Sequence, residues 1–243
     1  MQAKSWVVRS SESWLVLEMF RASIAGIQMV SILLADDHDV MRRGLRHLVE
    51  EQPGWKVCAE ATTGHQAVEL AKQYKPDVAV LDISMPELNG LEATRQIRKA
   101  LPNTEVLIFT MHENEELVRS VLAAGARGYL LKTDAGQHIV AAVEALSRHK
   151  PFFTSNVSEA ILESFLRTTK APEEVQFSRV ITGREREIIQ LLAEGRSNKK
   201  ISAMLGISVK TVETHRASIM RKLGAKTIVD IVRYAVRNKI AEA

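Results

Sequence analysis

Between Met29 and Lys150 five short apolar runs alternate with five amphipathic stretches, and this alternation limits the fold more than any other feature of the chain. The runs are SILLA from Ser31, WKVCAEA from Trp55, DVAVLD from Asp77, EVLIFT from Glu105 and GYLL from Gly128; helical patterns begin near Asp39, Gly64, Gly90, Glu113 and Ala135. Near-continuous apolar strands separated by helices predict an open, all-parallel sheet of five strands, because parallel neighbours need crossover helices and those helices bury both faces. In such doubly wound α/β sheets ligands sit beyond the carboxyl ends of the strands, near the point where strand order reverses.

Polar residues gather at that position. The first run ends in Asp36 and Asp37, the third in Asp82, the fourth in Thr110, and Lys132 follows the fifth directly. Taken singly, an aspartate ahead of a helix is ordinarily a cap and a threonine ordinarily a β-former. Adjacent carboxylates at the end of a buried strand, however, repel each other and are costly to desolvate, so solvent, a helix N-terminus or a cation should compensate them. Three clustered carboxylates offer oxygen-only ligation suited to Mg²⁺, which shares its remaining positions with water and phosphate oxygens. Asp82 can then act as a nucleophile that forms an aspartyl phosphate, with Lys132 offsetting the phosphoryl charge and Thr110 donating a hydrogen bond to it.

The acidic pair, LDISMPELNG, FTMH and GYLLK stand in the order and spacing of the receiver domains of bacterial two-component response regulators, which the segment 29–150 resembles. The resemblance implies a flavodoxin-like fold, phosphorylation of Asp82 by a sensor histidine kinase, and Mg²⁺ held by Asp37, Asp82 and the backbone carbonyl of Ser84, with Asp36 assisting. It also implies that Thr110 and Tyr129 form a switch pair that rearranges on phosphorylation. One departure is Thr133 after Lys132, where many receivers carry a proline in a cis bond; a non-proline cis bond costs about 3 kcal/mol, so its geometry here is left open.

The rest of the chain differs in charge. From Arg179 to Ala243 there are 14 Lys and Arg against 6 Asp and Glu, whereas from Met29 to Lys150 there are 14 against 17. A localised basic surplus points to a polyanionic partner. No run approaches the roughly 18 apolar residues of a membrane span, and the single Cys58 excludes an internal disulfide and suits a reducing, cytoplasmic setting. Residues 1–28 read as a loosely ordered extension or as sequence upstream of a natural start at Met29; the run WLVLEMF is interrupted by Glu18 and followed by Arg21, unlike a signal peptide. Residues 151–178 read as a polar linker with Pro172 as a breaker and a helix over SEAILESFL.

In the basic segment 179–243 Thr182, Ser197 and Ser208 are placed to cap successive helices and Gly206 to end the second. Along the helix after Ser208, Val209, Val212, Ile219 and Leu223 form an inward stripe, while Lys210, Glu213, Thr214, Ala217 and Arg221 fall on the opposite side. Two helices joined by a tight turn, the second basic with one face free, form a helix-turn-helix. REREII, GRSNKKIS and TVETHRASIMRKLG resemble the four-helix, LuxR-type domain of NarL/FixJ regulators; Lys200 and Ser202 depart from the usual glutamate and alanine on the scaffold helix. The resemblance implies a double-stranded DNA operator as partner. Glu213, Thr214 and Ala217 would face base edges, Lys199, Lys210, Thr211, Arg216 and Lys222 would contact phosphates, and Arg221 would belong to the same DNA-binding set. The last helix carries Ile228, Ile231, Val232, Ala235 and Val236 on one stripe, and the resemblance implies that it pairs two copies into a homodimer, with RNA polymerase as the further partner a transcription regulator admits. A signalling adaptor with a protein-binding helical module, and a DNA-binding regulator indifferent to phosphorylation, are the competing readings.

Overall fold

The computed structural model describes residues 29–111, 115–154 and 181–241. The extension 1–28 and the linker helix expected from Ser158 lie outside the described residues. Among the described residues no helix is long and apolar enough to cross a membrane.

In the α/β unit the strands are β1 (Val30–Ala35), β2 (Trp55–Ala61), β3 (Val78–Leu81), β4 (Glu105–Thr110), β5 (Gly128–Leu131) and β6 (Phe152–Phe153). The helices are α1 (Asp39–Glu50), α2 (Gly64–Tyr74), α3 (Gly90–Ala100), α4 (Glu115–Ala124) and α5 (Ala135–Ser147). All strand pairs are parallel and the order is β2-β1-β3-β4-β5-β6, so the order reverses between β1 and β3. Leu33, Ala79, Ile108 and the helices α2, α3 and α4 fill one face; Ile32, Val80, Phe109 and the helices α1 and α5 fill the other. The sheet has six strands rather than the five expected. The sixth is two residues long: the chain turns at His149, with φ +55°, and Phe152 then donates its N–H to the Arg127 carbonyl beside β5. The α/β unit therefore runs past Lys150, into what the sequence suggested was linker.

The second unit packs α6 (Gly183–Ala193), α7 (Asn198–Leu205), α8 (Val209–Leu223) and α9 (Ile228–Arg237) around Ile188, Leu191, Ile201, Val212, Ile219, Ile231 and Ala235. Thr182, Ser197 and Ser208 each accept a backbone N–H in the first turn that follows, and Thr182 completes a capping box with Glu185. Gly206 ends α7 at φ +63°, where a residue with a Cβ would be strained. Val212 and Ile219 are buried as expected, whereas Val209 is 39% exposed because it lies in the first turn, before the helix meets the core.

Candidate functional site

β1, β3, β4 and β5 deliver their last residues to one rim. Asp36, Asp82, Thr110 and Lys132 are all buried there, while Asp37 and His38 reach the surface. Asp82 is held in place by its neighbour in space: a Cβ on Gly90 would collide with the Asp82 carbonyl, so only glycine lets α3 start so close to the end of β3. The Lys132 ammonium stands over the Phe109 ring, with Nζ 5.9 Å from the centroid. From there Nζ donates to Asp82 Oδ2 at 2.8 Å and lies 2.7 Å from Asp36 Oδ2. The Lys132–Thr133 peptide is trans, as is every described peptide, and residues 132–134 form a short 3₁₀ turn.

Two carboxylates share one ammonium, and the electrostatics follow. Burial pushes the Asp82 carboxyl above its ordinary value; the Lys132 contact pulls it down, and the charge of Asp36 adds to the rise. Burial works against the Lys132 ammonium, yet Asp36 and Asp82 together hold its pKa above the usual lysine value. Both pKa values rise, Asp82 chiefly through burial and Lys132 through its two carboxylate partners.

The excess of carboxylate over ammonium tests the fit to a cation. Asp36, Asp37, His38 and Asp82 each offer a ligand atom within 4.8 Å of the others, and the single Lys132 ammonium, 2.7 Å from Asp36 Oδ2 and 2.8 Å from Asp82 Oδ2, cannot neutralise three carboxylates. Carboxylate oxygens in this arrangement fit a hard divalent ion. His38 was not foreseen. Its backbone N–H donates to Asp36 Oδ1 at 2.9 Å and its Nδ1 lies 2.8 Å from Asp37 Oδ1; its place next to the acidic pair is the signal that would have found it. Tyr129 is fully buried on β5, whose register sets it beside Ile108 and sets Leu131 beside Thr110.

On the helical unit Lys199, Lys210, Thr211, Glu213, Thr214, Ala217 and Arg221 are exposed and Arg216 is half-buried. Lys222 is a correction: its Nζ donates to buried Glu185 Oε2 at 2.6 Å, which takes it off the free surface. Ile231 and Ala235 are a second correction. Both are fully buried in the unit's own core, so only Ile228, Val229 and Val232 of that stretch keep surface to offer a partner. Val236 instead lines a cavity shared with the α/β unit.

That contact was not legible in the sequence. Gln190 on α6 donates to the Met85 carbonyl at 2.9 Å and accepts the Asn89 N–H at 2.7 Å, while Glu194 accepts the Glu87 N–H at 2.9 Å. Gln96 on α3 donates to Glu187 at 2.6 Å. The α6 helix thus grips the β3–α3 loop, which carries Ser84, and leaves the outward face of α8 open. Between the units lies a cavity of about 590 Å³ lined by Asp37, Ser84, Asn89, Gln190, Arg196 and Lys239.

An α/β unit with an acidic rim is thus joined to a four-helix unit with an exposed basic helix, the build of a two-part regulator. Residues 32–144 match the response regulator receiver domain and residues 179–235 match the luxR family of bacterial regulatory proteins. The chain is 35% identical over 213 residues to the uncharacterized transcriptional regulatory protein YxjL of Bacillus subtilis, spanning 88% of this chain and 98% of that one. It is 35% identical over 217 residues to the oxygen regulatory protein NreC of Staphylococcus epidermidis, spanning 88% of this chain and all of that one. A LuxR-family two-component response regulator from Aurantimonas sp. is similar over 57% of this chain and 99% of its own, at 34% identity and a TM-score of 0.55. The Salmonella typhimurium RcsB response regulator shares the fold over 87% of this chain and all of its own, at 23% identity and a TM-score of 0.52. The chain belongs to the two-component response regulators with a LuxR-type DNA-binding domain, a family of transcription regulators.

Proposed function

We infer that a sensor histidine kinase phosphorylates Asp82 in a Mg²⁺-dependent reaction, and that this controls homodimerisation and sequence-specific binding to a DNA operator in the cytoplasm. The observation that carries the reading is the continuity of the site: Asp82 ends β3, and the loop that follows it is hydrogen-bonded directly to the DNA-binding domain.

In the reaction a carboxylate oxygen of Asp82 attacks the phosphorus of a phosphohistidine; the P–N bond breaks and the imidazole leaves with the electron pair. Burial makes that oxygen more basic and hence a better nucleophile. Lys132, already 2.8 Å from Asp82, stays with the charge as it passes from the carboxylate to the phosphoryl oxygens. Asp37, Asp82 and the Ser84 carbonyl, assisted by Asp36, would hold Mg²⁺, which when bound supplies the charge that lets two anions approach. Thr110 ends the adjacent strand and is the residue to donate to a phosphoryl oxygen, drawing Tyr129 with it. Because the charge that Lys132 pairs with has moved from the Asp82 carboxylate to the phosphoryl oxygens of the acyl phosphate, the β3–α3 loop and its bonds to Gln190 and Glu194 are the path by which the change reaches the helical domain. There the exposed α8 face reads bases through Glu213, Thr214 and Ala217, with Lys199, Lys210, Thr211, Arg216 and Arg221 on phosphates. Ile228, Val229 and Val232 are the α9 positions that support a pairing surface.

Incubating the full chain with a small acyl phosphate, with and without Mg²⁺, tests the reading. The parent should take up phosphate only with Mg²⁺ and then bind DNA more tightly, with a steep salt dependence. Asp82→Asn should take up none and show no gain. Labelling of the variant at the parental level would overturn the assignment.

A further inference from the structure

Lys132 is one of two buried cations beside the acidic pair; the other, Arg42, has no part in the chemistry above. It lies on the first turn of α1, is 9% exposed, and spends its guanidinium on three different elements. Nη1 donates to the Asp36 carbonyl at 2.8 Å, Nη2 to Asp39 Oδ1 at 3.0 Å and Nε to Glu60 Oε2 on β2 at 3.3 Å. Glu60 is itself gripped from the other side by Arg46 Nη2 at 2.5 Å. The Asp36 N–H, for its part, donates to the Ala61 carbonyl. Both ends of the Asp36 main chain are therefore tied to β2, one directly and one through a planar fork that only arginine provides.

We propose that Arg42 is a positioning residue for the divalent-cation site: it locks the backbone that carries Asp36 and Asp37 so that their carboxylates meet Asp82 before the cation arrives. The inference rests on the cation site of the preceding section. Two effects of this side chain oppose each other. Its charge repels a cation, whereas its geometry preorganises the ligands. The charge is already matched by Asp39 and Glu60, so little of its field is left to act on the site. The geometry has no substitute, since without the fork the Asp36 carbonyl loses a buried donor and the turn is free to open. Positioning therefore outweighs repulsion, and loss of Arg42 weakens cation binding.

The test is a calorimetric Mg²⁺ titration of the full chain without phosphodonor, paired with thermal unfolding. Arg42→Lys keeps the charge and loses the fork; it should weaken Mg²⁺ binding roughly tenfold, the scale seen when a residue supporting a metal ligand is removed. Arg42→Met should weaken it at least as much. Glu60→Gln, which leaves Arg42 in place with a looser anchor, should give a smaller loss in the same direction and keeps the test valid if Arg42 variants fold poorly. Arg43→Lys, exposed on the same turn and paired with Asp39, should bind like the parent. Parental affinity in Arg42→Lys, or tighter binding in Arg42→Met, would show that charge and not position is what Arg42 contributes and would overturn the proposal. A parent that binds no Mg²⁺ overturns the cation site itself, and the proposal with it.

Discussion

At the rim of the sheet Asp36, Asp82 and Lys132 are each less than a tenth exposed and lie 2.7 and 2.8 Å apart; on α8, Lys210, Glu213, Thr214 and Arg221 stand in solvent. Both regions are charged, yet their charges are arranged in opposite ways. The rim spends its charges on one another and is left with a surplus of one carboxylate, which is what makes it responsive to a cation or a phosphoryl group. The α8 face keeps its charges in solvent, and a surface that is to compete for DNA phosphates gains from cations not already paired. The helical domain also pairs charges internally, but away from the reading face: Glu185 collects Lys222, Ser218 and the Thr182 cap in one buried cluster.

The comparison breaks most readily at Lys132. If the rim is an interdependent set, Lys132→Met leaves Asp36 and Asp82 buried without their counter-ion and should cost roughly 3 to 5 kcal/mol in denaturant unfolding of the α/β domain. Millimolar Mg²⁺ should return part of that loss, since it replaces the missing charge. A loss below about 1 kcal/mol would mean that the two carboxylates are not in mutual debt to this ammonium.

Glu185 sharpens the other side. Burial would raise its carboxyl, but Lys222, the Thr182 N–H and hydroxyl and the Ser218 hydroxyl overcome that and hold it at about 2. Its ordinary value is 4.5, so its folded pKa lies below the unfolded one. The cluster's stability is therefore complete above about pH 4.5 and is lost as pH falls toward 2, a contribution on the order of 3 kcal/mol. Circular-dichroism unfolding between pH 6 and pH 2.5 should show this slope for the parent and a shallower one for Glu185→Gln. Equal slopes would remove Glu185 as the titrating group.

What could be read from the sequence followed from how local each signal was. Asp36, Asp82, Thr110 and Lys132 were legible because each closes or follows an apolar run, and strand ends of a parallel sheet share a rim by construction. The caps at Thr182, Ser197 and Ser208 were legible because a cap bonds within its own first turn. Pairs distant in sequence were not. Lys222 meets Glu185 across 37 positions and Gln190 meets Asn89 across 101, and no periodicity announces either. The stripe on α9 was visible, but a stripe does not say what covers it, and the domain's own core claimed Ile231 and Ala235. A strand of two residues, Phe152–Phe153, is too short to leave a pattern.

The smallest expected effect lies on the open face and separates base reading from phosphate contact. Thr214 is exposed on α8, and its hydroxyl donates to the Lys210 carbonyl at 3.0 Å, four residues back, which anchors the side chain; Glu213 and Ala217 are exposed beside it. A residue that meets base edges contributes to one sequence and little to others, whereas a phosphate contact contributes to all of them equally. Thr214→Ala should therefore weaken binding to the operator by roughly 1 to 3 kcal/mol, leave affinity for random DNA within a few tenths, and leave the salt slope unchanged, since no phosphate is released from a cation. Lys210→Ala should behave in the opposite way, losing affinity on both DNAs and flattening the salt slope by about one ion. Titrating both variants on both DNAs at two salt concentrations decides the assignment; equal losses of Thr214→Ala on the two DNAs would move Thr214 to the phosphate-contacting set and narrow the reading face to Glu213 and Ala217.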